Sequence, residues 1–223
     1  MRELAAFTHR TDYQTWLKDR SRSSALLVHG MSQKPVAVPS LSYLCAQIEK
    51  HYADDEDVIV LSSFCGIQAV SCSSRERYNA TKLVCQMIGQ LLSDERAAAA
   101  YARDPVKRQW AEGIKQKDFK TLLDVLVLLI KCRTVVYCLI DSITVIESGR
   151  LRENTETLIE QLLGVLRKQQ RKSKRERVSD SLVLKLLVTD GGRSLYVHDL
   201  FKRREIMNVS DGGLCGKHEG LKF

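Results

Sequence analysis

A chemical reading of this chain begins at Asp141. This carboxylate closes Thr134–Asp141 (TVVYCLID), an apolar run rich in β-branched and aromatic residues and without helical period, so a strand buried on both faces is expected. In open α/β sheets, ligands bind beyond the carboxyl ends of the strands, where Asp141 would stand. The same carboxylate could also cap the strand end or accept loop N–H groups. Other chemistries find less support. Ser63, Cys65 and Ser142 have no histidine at readable spacing, which argues against a serine or cysteine hydrolase. The seven cysteines lie mostly in apolar runs, with no CxxC pair and no histidine at ligand spacing. They read as small buried hydrophobes, not as a zinc site or disulfide framework. His29, Trp16 and Trp110 read as packing residues.

A second candidate is electrostatic. The formal charge is +8, and the stretch from Arg167 to Arg177 (RKQQRKSKRER) carries +6 of it, which leaves +2 for the rest. Its cations are Arg167, Lys168, Arg171, Lys172, Lys174, Arg175 and Arg177. Such a run serves as a solvated helix extension, a nucleic-acid or nuclear-localisation patch, or a contact for acidic lipid or protein. No aromatic residue is interleaved for base stacking, so nucleic-acid binding through it would be weak, non-specific and salt-sensitive.

Stepping outward, the elements that must position Asp141 follow a βαβ rhythm. Ser23–Gly30 (SSALLVHG) reads as a first strand, followed by a Pro-punctuated loop and a helix over Ser40–His51. Val58–Phe64 reads as a second strand, with a polar loop over Gln68–Tyr78 and a helix over Asn79–Ser93. Phe119–Lys131 is apolar on nearly all sides and should pack against the sheet. After the central strand come a loop over Ser142–Arg152, a helix opening at Asn154, and a strand over Leu182–Val188. Arg193–Lys202 is expected to be a short helix, and Ile206–Val209 a fifth strand. Thr189-Asp190-Gly191-Gly192 has the composition of a turn. Thr11–Arg20 is a capped amphipathic helix, and Ala97–Arg103 a further short one.

At 223 residues and 44% apolar, the chain fits one α/β domain, expected over residues 1–210 with a flexible Gly-rich tail over 211–223. No stretch approaches the roughly eighteen apolar residues of a membrane span, and MRELAAFTHR lacks the apolar centre of a signal peptide. A cytoplasmic or nuclear location is the resulting expectation.

The order of LLVHG (Leu26–Gly30), LSYLCAQI (Leu41–Ile48), VLSSFCG (Val60–Gly66), KLVCQMIGQLL (Lys82–Leu92), VVYCLIDS (Val135–Ser142) and LKLLVTDGGRSL (Leu184–Leu195) resembles the P-loop NTPase core. More closely, it is similar to the NACHT-type signalling NTPases of filamentous fungi, and to a degenerate branch of them. The resemblance implies a three-layer α/β/α sandwich on a mainly parallel five-stranded sheet of order 5-1-4-3-2. It also implies that further domains often accompany this one.

The departures from the pattern decide the functional expectation. A Walker A loop, G-x-x-x-x-G-K-[ST], lets glycine amides close on phosphates while lysine neutralises them and a hydroxyl holds Mg²⁺. Counted from Gly30, Pro35, Val36 and Ala37 stand where the second glycine, the lysine and the hydroxyl belong. Proline has no N–H to donate, valine no charge and alanine no oxygen. The resemblance implies a Mg²⁺-orienting role for Asp141, but Thr144 and Val145 replace the acidic pair that normally follows, leaving Glu147 as the nearest carboxylate. Thr189 takes the place of the sensor-strand residue. The expectation is a catalytically inactive, NTPase-like interaction module with a protein partner and no cofactor. The alternative is residual binding of ATP or GTP with Mg²⁺, through Gly30, Lys34, Ser40 and Thr189 for the nucleotide and Asp141 for the metal.

Overall fold

The computed structural model describes residues 2–30, 40–71, 77–93, 99, 107–147, 152–175, 182–194 and 196–209. Two small helices, α1 (Arg2–Thr8) and α2 (Thr11–Lys18), precede β1 (Ser24–Gly30) and α3 (Ser40–His51). The chain continues through β2 (Val58–Phe64), α4 (Cys65–Ser71), α5 (Ala80–Leu92), α6 (Lys107–Lys115) and α7 (Phe119–Lys131). Next come β3 (Val135–Asp141), α8 (Thr144–Glu147), the long α9 (Arg152–Arg175) and β4 (Val183–Asp190). Two 3₁₀ turns, Val197–Leu200 and Arg203–Glu205, lead into β5 (Ile206–Val209).

All pairings are parallel and the spatial order is β2-β3-β4-β1-β5. Read from the other edge this is 5-1-4-3-2, the order that the resemblance implied. Parallel pairing demands crossover helices, and these cover both faces. One face packs against α1, α2 and α3 through Phe7, Tyr13, Trp16, Leu44 and Ile48. The other packs against α5, α7 and α9 through Leu83, Met87, Leu126, Leu129 and Leu162. Every residue of β3 and of β4 is buried, which accounts for their unbroken apolar sequence.

Local chemistry sets the helix starts. Asn79 accepts from the Lys82 amide at 3.0 Å and Asp118 from the Thr121 amide at 2.8 Å, each satisfying an otherwise orphaned N–H. Among the described residues, no helix is long and apolar enough to cross a membrane.

Three loop and helix expectations need correction. Residues 68–71 are helical, because α4 follows β2 without a break. The segment after β3 contains α8 and not only loop, with the Val145 amide bonded to the Ser142 carbonyl at 3.1 Å. Arg193–Lys202 is not an α-helix: one 3₁₀ turn forms at Val197–Leu200, since the amides of Tyr196 and Val197 are held by a side chain from α8. Helices α1 and α6 were not expected. The expected helix over Ala97–Arg103 and the tail over 211–223 lie outside the described residues, residue 99 excepted.

Candidate functional site

Because β3, β4 and β1 are adjacent and parallel, their carboxyl ends bring Asp141, Thr189 and Gly30 to one edge of the sheet. Asp141 is 2% exposed. Its Oδ1 accepts a hydrogen bond from Thr189 Oγ1 at 2.6 Å. Its Oδ2 accepts from Ser42 Oγ at 2.6 Å and from Ser142 Oγ at 3.0 Å. An ionised carboxylate has about four acceptor positions, so three hydroxyls of the chain itself occupy most of its capacity. Ser142 reaches back from a φ of 58°, the left-handed region, which a non-glycine residue enters at a cost of about 1 kcal/mol.

Gly30 faces a crowded space. A β-carbon there would lie 3.1 Å from the Gly191 carbonyl oxygen and 3.3 Å from Leu41 Cδ1. A larger residue there would press on the β4 exit and on the first turn of α3. Lys34, with Pro35, Val36 and Ala37, lies outside the described residues. Ser40 opens α3, but its side chain is likewise outside them. The hydroxyl that α3 delivers to Asp141 is that of Ser42, two residues further on.

Two thiols stand in the field of Asp141. Burial, and then the Asp141 charge, pushes Cys45 well above the ordinary thiol range. Burial takes Cys65 up to about 12. Both remain protonated at neutral pH, so neither supplies a thiolate nucleophile. Ser63 is bonded to Tyr78 at 2.8 Å and has no imidazole partner among the described residues.

Beyond Asp141 the ends of β3 and β4 are latched together. The Ile143 amide donates to the Thr189 carbonyl at 3.1 Å, and Thr144 Oγ1 to Asp190 Oδ1 at 2.6 Å. The other oxygen of Asp190 accepts from the Gly192 amide at 3.1 Å, which makes the expected turn. Glu147 is 2% exposed; its Oε1 accepts from Ser194 Oγ and the Tyr196 amide, each at 2.7 Å, and from the Val197 amide. It thus clamps the chain that leaves β4. His29 is equally buried, and its Nε2 lies 3.0 Å from Nδ1 of His198 in the first 3₁₀ turn. Burial, and then the neighbouring His198, holds the His29 imidazole below its usual range.

The basic run is the C-terminal part of α9. Lys168, Arg171 and Lys172 are exposed there, whereas Arg167 turns inward and donates to the Leu200 carbonyl at 2.8 Å. The side chains of Lys174 and Arg175, and all of Arg177, lie outside the described residues.

Sequence reasoning missed Ser42 and the role of Glu147. Ser42 carried one signal: a small polar residue inside the buried stripe of Leu41, Leu44 and Cys45. Glu147 carried none, since its partners are backbone amides some 50 residues away.

A family model for the N-terminal region of nephrocystin 3 matches residues 4–189. The chain belongs to the nephrocystin 3 N-terminal family. The family region takes in β1 to β3 and β4 as far as Thr189, with Gly30, Ser42, Asp141 and Glu147, and it stops before His198 and β5. This membership agrees with the resemblance to NACHT-type NTPase-like domains. Comparison with curated proteins found no match.

Proposed function

We propose that this nephrocystin 3 N-terminal domain is an NTPase-like interaction module that neither hydrolyses nor tightly binds nucleotide. The observation that carries the reading is the hydroxyl shell of Asp141. Ser42, Thr189 and Ser142 donate to the carboxylate that would orient Mg²⁺ in an active relative of the resembled type. The sequence adds Pro35, Val36 and Ala37 at the Walker A positions, and hydrocarbon from Leu41 closes over Gly30. Glu147, the nearest carboxylate to the missing acidic pair, is 2% exposed and holds Ser194 and the amides of Tyr196 and Val197, which supports a structural role over positioning an attacking water. On this reading the module spans residues 1–210 with 211–223 as its tail, acts in the cytoplasm, and works by holding a protein partner in a signalling-type assembly.

One observation favours a second reading, residual nucleotide binding. The 2.6 Å Ser42–Asp141 contact sets a hydroxyl and a carboxylate side by side at the start of the helix after β1. A divalent cation could recruit both. Thermal unfolding with millimolar ATP or GTP and Mg²⁺ separates the readings, because a ligand at 100 times its dissociation constant stabilises by about 2.7 kcal/mol. No change in Tm is expected. A nucleotide-dependent and Mg²⁺-dependent rise would overturn the inactive reading.

A further inference from the structure

The other end of the sheet holds a group that nothing at Asp141 uses. Lys185 is 1% exposed, yet it lies on a central strand, opposite Ser24 of β1 at the amino end of the sheet. Among the described residues its Nζ makes one hydrogen bond, to Ser24 Oγ at 2.9 Å, although an ammonium has three donors. It lines a cleft of about 310 Å³ between α2, the start of β1 and the second 3₁₀ turn. That volume is at the small end of the range for ligand sites.

The charges in the wall sort by what they already do. Each of the three carboxylates is engaged within the chain: Asp12 with Arg10 at 2.9 Å, Asp19 with the amide of Ser21 at 2.9 Å and its hydroxyl at 2.6 Å, and Glu205 with the Lys202 amide at 2.9 Å. The cations are less committed. Arg22 and Arg204 line the mouth; the Asp19 carboxylate attracts Arg22 across it, but neither arginine forms a hydrogen bond or ion pair with a described residue. Lys185, Arg22 and Arg204 therefore keep donors that no described residue takes up. Between these heads the wall is hydrocarbon and indole, from Trp16, Ala25, Leu26 and Met207.

We propose that this cleft is a binding site for a small organic anion, a carboxylate or phosphate head on a short apolar body, with Lys185 anchoring the head. The arginines at the mouth draw the anion in, and Trp16 and Met207 cover its body. Burial holds the Lys185 ammonium down at about 8, against the weaker pull of Asp19. An anion needs the protonated form, so its affinity declines as pH rises past that value, by about tenfold per unit once binding must bring its own proton.

The test uses the full chain and four probes followed by NMR at the Trp16 indole N–H: hexanoate, benzoate, phenyl phosphate, and benzamide as the neutral counterpart of benzoate. At least one anion should bind at millimolar concentration, about tenfold more tightly than benzamide. The ratio of benzoate to phenyl phosphate affinity tells which head the cleft prefers. Lys185→Met should weaken anion binding by about tenfold or more, and Arg204→Gln, at an exposed position, should weaken it less without disturbing the fold. Should Lys185→Met not fold, the pH profile of the native chain and the Arg204→Gln variant give the decision. Failure of all three anions to bind, equal affinity for benzamide, a pH-independent affinity between pH 7 and 10, or unchanged binding in a folded Lys185→Met variant would each overturn the proposal.

Discussion

The two ends of this parallel sheet treat a buried charge in opposite ways. At the carboxyl end, Asp141 is surrounded by Ser42, Ser142 and Thr189, hydroxyls that satisfy it from within the chain. At the amino end, Lys185 is as deeply buried but has one hydroxyl partner among the described residues and lines a cleft. A buried charge whose hydrogen-bonding capacity is mostly filled from within the chain stabilises its surroundings and has little left for a ligand. A buried charge with a partial set is a standing cost that a ligand can relieve. The difference argues that the carboxyl end serves the fold's own integrity, while the amino end keeps spare binding capacity.

The largest effects are expected where the internal network is broken. Asp141→Ala leaves the buried hydroxyls of Ser42 and Thr189 without an acceptor and should cost about 3–4 kcal/mol in urea unfolding. Glu147→Ala removes the acceptor of Ser194 and two backbone amides, and about 3 kcal/mol should be lost, with the 3₁₀ turn at Val197–Leu200 exchanging amide protons faster. If either change were neutral, the carboxyl end would not be the rigid, self-satisfied region described above.

The amino end should respond with the opposite sign. Lys185→Met replaces an ammonium by a hydrocarbon of similar shape and is expected to stabilise the fold by about 2 kcal/mol at pH 7. The sign follows from the depressed lysine: with a folded value of about 8 against the ordinary lysine value of 10.5, the unfolded chain binds more protons between these limits. Stability of the native chain should therefore rise with pH from about 8 to 10.5, by about 3 kcal/mol at most, and the advantage of Lys185→Met should vanish over the same window. A flat pH dependence in both proteins would show that Lys185 is well solvated. The smallest effect belongs to Ser142→Gly, where relief of the left-handed backbone and loss of one hydroxyl bond offset each other to within about 0.5 kcal/mol.

Much of this architecture was legible in the sequence for identifiable reasons. Strands β3 and β4 are buried on both faces and so are written as apolar runs, and their separation by α9 forces parallel pairing. Asp141 and Thr189 were legible because each is a polar residue at the end of such a run. The misses share a cause as well. Helices α4 and α8 and the 3₁₀ turns are fixed by tertiary contacts, such as Glu147 with the Tyr196 amide, and not by their own periodicity. Lys185 was not singled out, because LKLLV shows only a lysine inside an apolar run and not what packs against its ammonium. Its burial shows only once β1 and α2 are packed against it.

The most direct measurement of the central claim uses Mn²⁺ with ATP as a paramagnetic stand-in for Mg²⁺, read from amide broadening across residues 28–30, 41–45, 140–143 and 188–190. With Asp141 committed to Ser42, Ser142 and Thr189, these amides should keep their linewidths at millimolar Mn²⁺ and ATP. Broadening confined to those residues, and abolished by Asp141→Asn, would contradict the account.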